Sequence, residues 1–233
     1  MKSLLLLFSI LISCTGLLAQ DSTYFTIKSG DKIQESLTSA DLYYYPQFTN
    51  GEVFFKAGTK AKAKLNHSRL FDQMLFIDSK GDTLALAEER TIKFIAVNKD
   101  TFYYDEGFVR IIADNTFVKL AEKQVWVVTD IRKPGPHNTS TSTIGVTSVR
   151  TFREGNDAVR NPLKLDEDIV LRKETQYYFG DEYNHFIRAS KKGLFELFNK
   201  KQRSIENYLK ENKVNFDKRN DMEMLFQFIS KLY

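Results

Sequence analysis

Between Gln47 and Lys133 the chain has no proline, and across that stretch short apolar, β-branched and aromatic runs return about every ten residues. They occupy residues 53–55, 61–65, 71–77, 83–86, 92–97, 101–104, 108–113, 117–121 and 125–131. Without proline, every backbone N–H in the stretch stays available to a strand ladder. Turn chemistry separates several runs: Ala57-Gly58, Asp78-Ser79-Lys80-Gly81, Asn98-Lys99-Asp100, Asp105-Glu106-Gly107 and Asp114-Asn115. Short strands punctuated in this way predict an antiparallel β meander, barrel-like or sandwich-like.

Side-chain alternation supports strands. Lys60, Lys62 and Lys64 alternate with Ala61, Ala63 and Leu65, one wet face and one dry. Ile92, Phe94 and Ala96 alternate with Thr91, Lys93 and Ile95. Residues 125–128 are apolar on both faces and should be central or covered. The tyrosines at Tyr43-Tyr44-Tyr45, Tyr103-Tyr104 and Tyr177-Tyr178 suit strands whose hydroxyls stay wet, although Tyr43 to Tyr45 cannot all point inward along one strand.

Composition shifts at Lys133. Lys133-Pro134-Gly135-Pro136 and Thr139-Ser140-Thr141-Ser142-Thr143 lead towards Gly155 and Pro162, so residues 133–165 read as a flexible linker or long loop. Residues 169–179 alternate again and predict one more strand, pairing with the same sheet. Beyond Gly180 the apolar period lengthens to that of helices. Ser190 is placed to cap a first helix and Asp217 a third, with a second carrying Ile205, Tyr208 and Leu209. The class is therefore α+β: a β-rich domain over 20–132, the linker, and over 166–233 a strand plus a small three-helix module.

Met1-Lys2-Ser3 precedes an apolar run from Leu4 to Ile12 broken only by Ser9. A positive start, a short apolar core and small residues predict a secretory signal peptide over 1–19. A membrane-crossing helix needs ~20 apolar residues, and this run is shorter. Cleavage after Leu17-Leu18-Ala19 leaves Gln20 at the new N-terminus. Leu11-Ile12-Ser13-Cys14 instead fits a bacterial lipobox, in which Cys14 carries the lipid. Soluble release is preferred, because the lipobox leaves apolar Leu17-Leu18-Ala19 where a polar tether is usual. The destination is the periplasm or cell surface. Cys14 is the only cysteine, so the exported chain has no internal disulfide and its core alone must hold it.

Lys and Arg number 34 against 30 Asp and Glu, too even a balance to demand nucleic acid as a partner. The sequence carries no phosphate-cradling glycine loop, no G-x-S-x-G elbow and no H-E-x-x-H pair. Of three histidines, His137 falls in the linker and His67 in a predicted turn, Asn66-His67-Ser68. His185 stands beside Asp181 and Glu182, which reads as a polar turn, since a metal needs three or four convergent ligands. No cofactor, metal or catalytic residue is assigned. The expectation is that the exported chain has no assembled reactive centre and works by contact, an expectation that three or more ionisable side chains gathered in one sheltered hollow would overturn. Between Arg188 and Arg219 ten Lys and Arg stand against four acids. Lys191, Lys192, Lys200, Lys201 and Arg203 are thus the candidate contact surface, suited to another envelope protein, a glycan or an anionic membrane surface.

The stretch from Gly51-Glu52-Val53-Phe54-Phe55-Lys56 through Phe76-Ile77-Asp78, with Lys80-Gly81-Asp82-Thr83-Leu84 and Asp100-Thr101-Phe102-Tyr103-Tyr104, resembles an uncharacterised family of exported Bacteroidota proteins. The lysine-rich end from Ile205 to Tyr208-Leu209-Lys210-Glu211-Asn212-Lys213 is similar to that group as well. The resemblance implies export and a β-rich body and implies no activity. The expected function is non-catalytic binding or scaffolding in the cell envelope; the alternative is an envelope hydrolase using dispersed carboxylates. Mass spectrometry of the exported protein should find an unacylated N-terminus at Gln20; an acylated Cys14 would reverse that assignment.

Overall fold

The computed structural model describes residues 24–134, 140–142 and 167–233. The signal peptide with Cys14, Ala19 and Gln20, and most of the 133–165 segment, lie outside the described residues. Twelve strands form a single sheet. The chain opens with β1 (Tyr24–Ile27) and two single-turn helices, α1 (Ile33–Ser36) and α2 (Ser39–Leu42). The meander follows as β2 (Thr49–Phe55), β3 (Lys60–Ser68), β4 (Gln73–Ile77), β5 (Thr83–Ala85), β6 (Ile92–Val97), β7 (Asp100–Tyr104), β8 (Phe108–Asp114) and β9 (Lys119–Pro134). Then come β10 (Ser140–Ser142), β11 (Asp168–Gly180), β12 (Phe186–Arg188), and the helices α3 (Lys191–Leu197), α4 (Gln202–Asn212) and α5 (Arg219–Ser230).

Every pairing is antiparallel, along the path β1-β11-β9-β8-β7-β6-β2-β3-β4-β5, with β10 beside β9 and β12 beside β11. The path is open, with β1 and β5 at its ends. It nevertheless curls until the β3–β4 turn reaches β9, where the Trp126 N–H donates to the Arg69 carbonyl at 3.3 Å. The segment before β2 completes the corner, with Tyr44 N–H donating to His67 O at 2.9 Å and Arg69 N–H to Leu42 O at 2.8 Å. Local chemistry sets the turns: in the β4–β5 hairpin Asp78 Oδ1 accepts from the N–H groups of Lys80 and Asp82, the Asx geometry that lets a short polar side chain replace a backbone partner.

Three details correct the sequence reading. The runs 117–121 and 125–131 belong to one strand, β9, because the intervening Glu122-Lys123-Gln124 each find a partner in the fold (Arg110, Asp72 and Arg69). In β6 the inward set is Ile92, Ile95 and Val97, all within 2% of full burial, while Phe94 and Ala96 face outward. An irregularity of register opposite Phe54 and Phe55 shifts the phase after Ile92. Asp217 does not cap α5: Lys218 holds that position without a side-chain bond, and Asp221 turns back to accept from the Asn215 N–H at 2.8 Å. Ser190 does cap α3, its Oγ accepting from the Gly193 N–H at 3.0 Å.

The core forms distinct clusters. Val53, Leu65, Ile95, Phe102 and Phe108 fill the inside of the curl. Ile27, Ile33, Leu37, Trp126 and Leu171 gather beneath α1 and α2, and the Trp126 indole N–H donates to the Asp41 carbonyl at 3.0 Å. The C-terminal helices lay Leu194, Phe198, Ile205, Met222, Leu225 and Ile229 against Leu120, Tyr177 and Phe179 of β9 and β11, so they roof the sheet rather than stand apart. Leu225→Ala, which empties a fully buried site, should cost ~2–5 kcal/mol. Met224→Ala on the exposed side of the same helix should change stability by less than ~0.5 kcal/mol. Urea midpoints of the two variants check the pair, and one shared transition for helices and sheet is expected.

Candidate functional site

Two groups of charged side chains stand out, one buried inside the curl and one exposed on the helices. Inside, β7, β8 and β9 each turn one charged residue to the same face. Arg110 donates from Nη1 to Asp100 Oδ1 at 2.8 Å and from Nη2 to Glu122 Oε1. Tyr45 donates its hydroxyl to the other Asp100 oxygen at 2.7 Å, and Arg219 at the start of α5 approaches Glu122 Oε2 at 3.4 Å. The Tyr44 ring lies between two guanidinium groups, with Arg110 at 5.1 Å and Arg69 at 5.3 Å from its centroid. Arg69 spends its own donors on the Ala40, Tyr43 and Tyr44 carbonyls and on Gln124 Oε1.

Burial, joined by the bond to Asp100, pushes the Tyr45 hydroxyl well above the ordinary tyrosine range. Burial alone would pull the Arg110 guanidinium down, yet the Glu122 and Asp100 carboxylates more than compensate and its pKa rises. Both effects keep the cluster in one protonation state, with tyrosine neutral and arginine charged. The expectation that no three ionisable side chains gather in one sheltered hollow, on which the reading of a chain without a reactive centre rested, is thereby corrected: Tyr45, Asp100, Arg110 and Glu122 meet there. Their chemistry is mutual neutralisation, since both carboxylates grip one guanidinium.

A second buried set sits where the curl closes. His67 lies in β3, not in a turn, and its Nε2 is 3.2 Å from Asp72 Oδ1; the other Asp72 oxygen accepts from Lys123 Nζ at 2.9 Å. All three residues are less than a tenth exposed. Gly107, at φ +133° in the β7–β8 turn, passes directly over this pair, and a Cβ there would collide with both Lys123 Nζ and Asp72 Oδ2. Burial pushes the Asp72 carboxyl up, but the His67 bond and the Lys123 charge outweigh it and hold the pKa below the usual aspartate value.

The exposed group is the one assigned from sequence. Lys191 bridges to Glu206 at 2.9 Å while lying over the Phe195 ring, and Lys210 approaches the same carboxylate from one turn further at 3.4 Å. The Lys191 bond and the two lysine charges hold Glu206 below the ordinary glutamate value. Lys201 lies 5.3 Å from the Tyr233 ring centroid. Lys192, Lys200 and Arg203 are exposed and have no hydrogen bond or ion pair among the described residues. α4 begins at this point with Lys201 as its N-cap, no capping bond and no acid in its first turn. Cations there oppose the helix dipole, which favours negative charge at its N-terminus.

His185 is largely exposed, its Nδ1 3.0 Å from Asp105 Oδ2, and so ties the β11–β12 turn to the β7–β8 turn. Among the described residues no three of His, Cys, Asp and Glu converge as metal ligands, and no helix is long and apolar enough to cross a membrane. The interior network escaped the sequence reading. Its one trace was a charged residue inside an apolar strand, Arg110 between Val109 and Ile111, which strand alternation alone assigns to no partner. Comparison with models of known families, with curated proteins and with solved structures finds no match for this chain.

Asp72→Asn leaves Lys123 buried without its counter-charge and should cost ~3–5 kcal/mol at pH 7. A depressed carboxyl pKa stabilises the fold above the unfolded value of about 4 and ceases to do so as pH falls through the folded value. The gap between wild type and variant should therefore narrow in urea titrations at pH 3.

Proposed function

We propose that this chain is an exported, non-catalytic cell-envelope protein that works by binding an anionic partner through the face built by α3 and the start of α4. The observation that carries the reading is the uncapped start of α4, where Lys200 and Arg203 stand exposed without counter-charges and Lys192 lies on the neighbouring helix. Local chemistry that opposes stability is expected where a surface serves a contact. The sheet supplies a rigid support, since Phe198, Ile205 and Leu225 anchor the helices on β9 and β11. The partner class is an anionic membrane surface, an acidic glycan or an acidic envelope protein. The likeness to exported Bacteroidota proteins and the predicted signal peptide support the location.

A second reading, an envelope hydrolase using carboxylates, rests on the convergence of Asp100 and Glu122 upon Arg110. Cleavage of envelope glycan by the wild type that disappears in Asp100→Asn, with the fold intact, would establish it in place of the first.

Cosedimentation with vesicles of mixed neutral and anionic lipid, and chromatography on an immobilised polyanion, test the binding reading. Replacing Lys192, Lys200 and Arg203 together by glutamate should weaken retention by at least about tenfold at low salt without lowering the urea midpoint, because exposed charges contribute little to stability and glutamate suits a helix N-terminus. Retention unchanged by the triple substitution on both matrices would overturn it.

A further inference from the structure

The outer face of β2, β3 and β6 carries a feature unrelated to the helices. Asn50 and Glu52 on β2 stand in register with Lys64 and Lys62 on β3, and Glu52 also faces Ala96 on β6. The small Ala96 between larger neighbours leaves a groove of about 660 Å³ floored by Ala96 and by the backbone at Gly51 and Ala63. One end runs towards Phe54 and Phe94, two residues further along the same face, whose rings stack with centroids 4.4 Å apart. Lys60 forms an ion pair with Glu52 Oε1 at 3.1 Å and lies 5.8 Å from the Phe54 ring centroid, so the single carboxylate of the groove has a counter-charge. Lys62 and Lys64 are exposed and have no hydrogen bond or ion pair among the described residues.

We propose that this groove is a second binding site, independent of the helical face, and that its ligand is an acidic oligosaccharide. The groove is shallow and polar, which disfavours an apolar ligand. Two lysines unpaired among the described residues and two residues apart on one strand face, their backbones about 6.6 Å apart, call for a ligand with repeated negative charge. Asn50 offers a donor and an acceptor, and Asn98, whose Oδ1 accepts from the Thr49 hydroxyl at 3.3 Å, offers its amide donors, the groups a sugar hydroxyl needs. The Phe54 and Phe94 rings lie beyond the groove lining and are taken up by each other, by Lys60 and by Tyr103, so recognition falls to the lysines and asparagines, which a free phosphate or single carboxylate would leave partly unused. Hydroxyls and spaced carboxylates occur together in a uronic acid oligomer.

The test is calorimetric titration of the exported full chain with a galacturonate hexamer, with a neutral glucose hexamer as control. The acidic oligomer should bind and the neutral one should bind at least about tenfold more weakly. Lys62→Gln with Lys64→Gln should cost at least about tenfold in affinity. The triple glutamate substitution on the helical face should leave galacturonate binding unchanged; urea midpoints confirm that each variant is folded. Absence of binding, equal affinity for the two oligomers, or full affinity in the double lysine variant would overturn the proposal. Loss of binding only in the helical-face variant would also overturn it, while supporting the separate reading of that face.

Discussion

The curl of the sheet depends on one closure, the seating of the β3–β4 turn against β9. An antiparallel meander of this length has no inherent reason to stop twisting at one place, and residual twist alone leaves its two ends far apart. Here the turn delivers Arg69 and Asp72 to β9, the first through its backbone carbonyl and side chain, the second through the Lys123 ion pair. With that contact in place, Leu65 and Phe102 join one core cluster, and β7 and β8 supply the Phe102 and Phe108 rings that pack on His67. Gly107 is the spatial condition for it, because no residue with a side chain could cross above the Asp72–Lys123 pair at that φ.

Charge is used in opposite ways inside and outside this scaffold. Interior charges are paired, each carboxylate meeting a cation and Arg110 joining two acids at once. Such pairs contribute little net stability against an apolar replacement, yet breaking one is costly, so they specify which surfaces meet. Exterior cations on α3, α4 and β3 are left unmatched at several positions. A protein of nearly balanced charge that pairs its interior ions and leaves unmatched cations on α3, α4 and β3, among others on its surface, presents places where anions can make contact.

The helical roof and the sheet are mechanically one body. β11 runs beside β9 for its whole length, and the same two strands carry the aromatic and aliphatic side chains on which α3, α4 and α5 rest. Arg219 continues that link electrostatically, reaching from the start of α5 to Glu122 in the sheet interior. A ligand held on the helices is thus held by the same framework that presents the groove on β2, β3 and β6.

Periodicity in the amino-acid sequence determined the strands, the antiparallel class, the C-terminal helices and the lysine-rich faces, because each is a local pattern of polar and apolar side chains. Strand phase after the β6 irregularity and the union of two runs into β9 were invisible there, since both follow from what stands on the neighbouring strand. So did the burial of His67: a residue between Asn66 and Ser68 reads as turn chemistry until Asp72 and two phenylalanines surround it. Tertiary structure alone decided that Asp100, Arg110 and Glu122 share one interior, for ion pairs between strands are set by register and curl, which no window of contiguous residues contains.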